Sequence, residues 1–463
     1  TVNINASARN AYINSSAPFY NLNITGSTTY SVEIQSIVDQ TNTFWNGSAW
    51  ETITVVPATD LREVKVLNNL NVGANAVFVT NNQNITVGRN FTLNASGRYT
   101  PGTNTTKFNA YGIQSFTNAG TITDGLFNMA LENSSVLTIS NNLTVRNNLI
   151  INNETILRDG GYDILVAANI NNSGTHESAT GGSIILNGAI DQTITGNGNG
   201  VFGNLTVNKT GGNVIQSANI AITGDLRLAS ESIYGIGSNK LSLSATSEIY
   251  DNLTTNSQGA FSLSRMIQTS GIQSDLGMER SITTTGDYLY PVGVNGYYTP
   301  ARLEIISNPA AWGAVSVNPV NSPHPLSTST NMLNYYWNVR RTEMSGFTLG
   351  DIKLRFNYDN AQIVGTESLY RPAWYYPVEW HEVNDVNKVT DATNEILFDA
   401  IDQPRGHYTA GESSAFGAVQ TFYSRQTGSW SDLSGSDYTS WTNDPIGNAP
   451  ATTLPTESSP VVI

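Results

Sequence analysis

The sequence predicts an all-β chain: a β-solenoid, parallel β-helix-like, followed by an antiparallel β-sandwich in a tandem modular arrangement. Three observations predict it. Charged side chains make up 13% of the 463 residues, about half the usual share of a soluble domain, and about 55 Asn, with Thr, Ser and Gly, take their place. Apolar residues recur in pairs with one residue between them, the period of a strand and not of a helix. Aromatic residues then concentrate between 259 and 423, where the apparent strands lengthen.

The elements follow in order. Phe19-Tyr20-Asn21-Leu22-Asn23-Ile24 has the same form as Phe202-Gly203-Asn204-Leu205-Thr206-Val207. Residues 1–40 are therefore expected to end a preceding β module. Residues 41–258 are expected to form the solenoid. Their pairs include Leu70/Val72, Val77/Val79, Ile85/Val87, Phe91/Leu93, Leu137/Ile139, Leu143/Val145, Leu149/Ile151, Ile220/Ile222 and Leu226/Leu228. Each pair is one face of a short strand, and Asn-Asn, Asn-Gly or Gly-Gly lies between pairs. Two short sandwiches would also alternate. The solenoid is preferred because its coils hydrogen-bond above and below, and Asn at successive turns can stack into amide ladders.

Residues 259–423 carry Tyr288, Tyr290, Trp312, Tyr335, Tyr336, Trp337, Trp374, Tyr375, Tyr376 and Trp380. The longer alternation of Ile352, Leu354 and Phe356 there reads as a sandwich strand. From 424 on, Trp430 and Trp441 among small polar residues echo Phe44 to Trp50, so 424–463 is expected to start a following module. With Thr1 first and Pro460-Val461-Val462-Ile463 last, the chain is expected to be a piece of a longer or processed protein.

Several function classes are excluded or disfavoured. With no cysteine, there is no disulfide scaffold and no thiol nucleophile. A net charge of −14 argues against nucleic acid as a partner. No run approaches the roughly 18 apolar residues of a membrane helix, so the chain is not expected to span a membrane by a helix.

Catalytic constellations are weak. The histidines are His176, His324, His381 and His407, none in a paired metal spacing. His176 reads as a surface turn residue and His381 as a packing residue beside Trp380. Gly411-Glu412-Ser413-Ser414-Ala415 lacks the last Gly of a nucleophile elbow. Gly198, Gly200 and Gly203 match a phosphate-binding spacing but lead into the strand Leu205-Thr206-Val207, where a helix would be needed. Carboxylates of the solenoid region are sparse, and the close pair Asp159 and Asp163 flanks a Gly160-Gly161-Tyr162 turn.

Two binding candidates remain. Trp374, Tyr376 and Trp380 would form an aromatic platform for sugar rings, the alternative being a role in the sandwich core. Asp385, Asn387 and Asp391 offer oxygen ligands for Ca²⁺ at short spacing, although Thr390 stands where an EF-hand needs Gly. The alternative there is a solvated hairpin loop, and no other cofactor is expected. The many Asn-x-Ser/Thr sequons follow from composition and carry no evidence of glycosylation.

Gly286-Asp287-Tyr288-Leu289-Tyr290-Pro291-Val292-Gly293, Tyr298-Thr299-Pro300, Tyr336-Trp337-Asn338-Val339 and Tyr408-Thr409-Ala410-Gly411-Glu412 resemble motifs of large secreted proteins of the Bacteroidota. Thr421-Phe422-Tyr423-Ser424-Arg425 with Gly428-Ser429-Trp430 is similar to the hinge between their modules. The resemblance is to giant repetitive adhesins of the type IX secretion system cargo class, gliding adhesins among them. It implies an extracellular, cell-surface location and a non-enzymatic structural or adhesive role as a stalk or fibre segment in attachment or gliding. It implies surface polysaccharide or another cell-surface component, the type IX machinery and neighbouring modules as partners. The rival readings are an S-layer-type protein and a β-helix polysaccharide-degrading enzyme.

Overall fold

The computed structural model describes residues 1–13, 17–35, 40–45, 48–56, 63–417, 422–424, 441–442 and 461–462. The chain is all-β: strands take up 47% and helix 3%, and the parallel strands form a β-solenoid of about 13 turns. It divides into two compact units, Thr1–Arg265 and Met266–Ile463.

In the first unit each coil contributes up to three strands of two to seven residues. One row of strands runs Val64–Val66, Ile85–Val87, Thr105–Phe108, Asn128–Leu131, Leu149–Ile151, Ile170–Asn172, Gln192–Thr195, and every neighbour is parallel and in register. Register partners in that row are 20 to 24 residues apart, as in Met129 with Leu149 and Ile170 with Ile194. Such short strands are stable here because each is paired on both sides.

The core follows from the alternation. Leu70, Val72, Ile85, Val87, Phe91, Leu93, Leu137, Leu149 and Ile151 are all buried, and Phe91 stacks on Phe116 at 4.8 Å. One expected pair differs. Val77 and Val79 are only half-buried, and Phe78 between them points inward. The larger ring takes the interior position and stacks on Tyr99 at 5.8 Å.

Asn residues sit just before the strands, and their side chains bind the next coil. Oδ1 of Asn84, Asn142, Asn169, Asn204 and Asn213 accepts the backbone N–H of Thr105, Asp163, Thr193, Asp225 and Ile233 at 2.8–3.0 Å. Amide-to-amide steps also occur, from Asn23 to Asn3 at 2.8 Å and from Asn94 to Asn71 at 2.7 Å. The Asn excess is thus spent on corner N–H groups that no strand ladder reaches.

The boundaries differ from those expected. Val2–Ala6 pairs with Leu22–Gly26, and Leu22–Gly26 with Leu70–Val72, all parallel. The first residues are therefore coils of the same stack and not the end of another module. An antiparallel hairpin, Gln40–Trp45 with Trp50–Val56, is inserted between coils. The second compact unit begins at Met266. Most of the expected following module at 424–463 lies outside the described residues.

In the second unit Ile267–Thr269 still pairs in parallel with Val292–Val294, and most other strands pair antiparallel. Gly277–Ile282, Gly313–Val320, Tyr336–Thr342, Gly406–Gly411, Arg371–Tyr375 and Trp380–Glu382 pair in that order. Gly286–Tyr290, Ala301–Ile305, Ile352–Asn357, Glu395–Ile401 and Val389–Thr390 pair in another sheet. Rings of the first sheet meet rings of the second, with Trp337 4.7 Å from Phe356 and Tyr408 4.9 Å from Phe398.

Candidate functional site

The aromatic candidates do not form one platform. Residues opposite each other in an antiparallel pair share a face. Trp374 is opposite His381, and Tyr375 is opposite Trp380. Trp374 therefore lies on one face, toward Phe398 at 6.1 Å, and Trp380 on the other. Each is engaged within the unit. Trp374 stacks on His381 at 4.9 Å, which gives His381 its expected packing role. The Arg405 guanidinium lies 4.1 Å from the Tyr376 ring. Trp380 donates Nε1–H to Leu326 O at 2.9 Å and packs on Phe416 at 4.9 Å.

The same face as Trp380 holds two histidines missed as a pair. His324 Nε2 and His407 Nδ1 are 2.8 Å apart, and His324 Nδ1 accepts the Leu326 N–H at 3.2 Å. His324 Nε2 is then the donor, so both rings are neutral in this arrangement. Tyr336, Tyr375 and Trp380 surround His324 at 4.7–5.2 Å. Burial, and then repulsion from His407, holds His324 at about 3.

The calcium candidates separate as well. Asp385 accepts from both the backbone N–H and the side-chain amide of Asn387 at 2.9 Å, capping the short turn Val386–Lys388. Asp391 lies in the next, exposed turn. Among the described residues no three His, Asp or Glu side chains converge as a metal site.

His176 is a correction. It is fully buried in the strand Thr175–Glu177, not a surface turn residue, because its alternate position points into the coil. Its Nε2 lies 3.3 Å from the equally buried Asp159 Oδ2. Asp159 Oδ1 accepts N–H groups from Gly161 and Ala179 at 2.9 and 2.8 Å. Burial alone would raise the Asp159 pKa, but His176 and these amides outweigh it and the net shift is downward. Ser178 Oγ approaches the same His176 Nε2 at 3.5 Å. A Ser-His-Asp relay needs the hydroxyl and the carboxylate on opposite ring nitrogens. Here both face one nitrogen, and the serine oxygen accepts Asn204 N–H at 2.8 Å. The cluster is built for coil-to-coil cohesion.

Two concavities lie elsewhere, on the outside of the first unit. Lys65, Thr86, Lys107, Ala130, Ile150, Asn171 and Thr195 are successive partners in one register row, with Ala130 buried between two accessible groups. At one end of the row a cleft of about 560 Å³ is lined by Glu63, Lys65, Lys107, Tyr111 and Glu132 around Gly88. Farther along, a cleft of about 260 Å³ is lined by Asn148, Ile150, Asn169, Asn171, Thr193 and Thr195. Glu63 binds Lys107 at 3.2 Å and also accepts from the Thr86 hydroxyl. The sequence reading missed this face; a local signal is the aromatic Tyr111 in a corner where the neighbouring coils carry no ring.

No family model, curated protein or solved structure matches the chain.

Proposed function

We propose that the chain is a non-enzymatic structural and adhesive segment of a large extracellular bacterial surface protein, a stalk or fibre element in attachment or gliding. One observation supports this reading above the others. Among the described residues, coil after coil of the first unit is bonded to its neighbours by strand ladders and by Asn side chains reaching the next coil's N–H groups. Stacks of this kind transmit load from neighbour to neighbour and need no ligand to fold. The second unit, read as an antiparallel β-sandwich, would close one module of a tandem array. The resemblance to type IX cargo adhesins supplies the export route and the surface location.

The test is deletion of the gene in the source bacterium. Loss of attachment or gliding, with the product removable from intact cells by protease, supports the reading. A regular lattice in images of the envelope, or release of reducing ends from polysaccharides by the purified chain, would replace it with the S-layer or the enzyme reading.

A further inference from the structure

We propose that the row Lys65–Thr86–Lys107–Ala130–Ile150–Asn171–Thr195 carries, on either side of the buried Ala130, a binding track for an extended, uncharged polysaccharide. The proposal deepens the adhesive reading and rests on it.

Four observations carry it. Both clefts described above open on this single row, and the larger one falls within the ordinary size range of ligand sites. Gly88 stands in the wall of the larger cleft, where the coil backbones approach so closely that a Cβ would lie 2.1 Å from the carbonyl oxygen of Leu67. Beside it, Tyr111 is 87% exposed, Ile113 79% and Leu67 56%. Among the described residues these apolar surfaces are left exposed, and they suit the C–H faces of sugar rings.

The polar chemistry selects the class of ligand. In a chain of net charge −14, the larger cleft balances Glu63 and Glu132 against Lys65 and Lys107, and the smaller is lined by amides, hydroxyls and Ile150. Groups that both donate and accept match sugar hydroxyls, and a face without net charge gives a polyanion no anchor. The geometry selects the ligand's form. Successive coils are about 4.8 Å apart, close to the length of one residue in an extended sugar chain. Within each cleft consecutive coils can then meet consecutive sugars.

The test is affinity electrophoresis of the whole chain through gels containing a soluble glucan, mannan or xylan, with alginate and polygalacturonate as charged comparisons. At least one neutral polysaccharide should retard the chain. Tyr111→Ala and Ile150→Glu, one in each cleft, should each weaken binding at least tenfold. Both sites are outward, so melting temperatures should stay near the parent's, and two sites keep the test alive if one variant folds poorly. Ile190→Ala, an exposed apolar site off the row, should bind as the parent does. Retardation by the polyanions alone, or unchanged binding in both cleft variants, overturns the track while the adhesive reading stands. No retardation by any polysaccharide also overturns it. If the gene deletion then leaves attachment and gliding normal, the adhesive reading falls with it.

Discussion

Asp159 and His176 show what a single buried pair does for a chain with few charges. The carboxylate is held below its ordinary range in the folded state. A depressed carboxyl contributes stability above its unfolded value of about 4, and that stability is lost as pH falls through the lower folded value. Asp159→Asn should cost about 1–3 kcal/mol near pH 7, because buried donors lose a charged acceptor. It should also flatten the acid limb of the first unit's unfolding curve, read from urea midpoints between pH 2 and 6. A steeper acid limb would contradict the assignment. His324 acts in the other unit, also with a depressed value, of about 3. Its unfolded state takes up a proton below about pH 6.5 while the folded state stays neutral. Stability should therefore fall as pH drops from 6.5 toward 3, by about 2 kcal/mol at pH 5. Replacing it by Phe should shrink that slope, seen in melting temperatures across the same range, the remainder coming from His407, whose pKa burial also lowers.

At the level of the coil, the recurring device is an Asn whose side chain reaches its neighbour's backbone. Asn204 shows both halves: Nδ2 donates to Gly182 O at 2.7 Å, and Oδ1 accepts from Asp225 N at 2.8 Å. Asn204→Ala should destabilise the first unit by about 1–3 kcal/mol. Amide exchange at Asp225 should quicken, with little change at distant coils; uniform quickening would show that the coils do not unfold locally. This device and most strand pairs were legible in the sequence because period-two alternation and corner Asn are local signals. Val77 and Val79 do form one face of a strand, but alternation alone does not say which face is inside, and Phe78 decides it by size. Trp374 and Trp380 were grouped wrongly because their faces depend on the hairpin register between them. The Asp159–His176 pair and the lateral row were invisible for another reason. They join residues a whole coil or several coils apart, and coil length drifts between 20 and 24 in that row, so no fixed spacing marks them.

Across the molecule, two ways of burying the same kinds of side chain stand in sequence. The first unit closes its core with parallel coils, aliphatic rows and polar corners. The second uses antiparallel strands and rings such as Trp337 against Phe356. The orientation of the first unit's hydrogen bonds also has a mechanical meaning. They join coil to coil, so tension drawing the coils of this unit apart loads them directly, a few at a time, and the stack yields by peeling and not by a single rupture. Each released coil pays out 20 to 24 residues, roughly 65–85 Å of slack. A pulling trace on this unit should show small, regular steps of that length. A cell tethered through such a segment would meet a sudden drag with extension in place of breakage, and would recover its grip as the coils wind back.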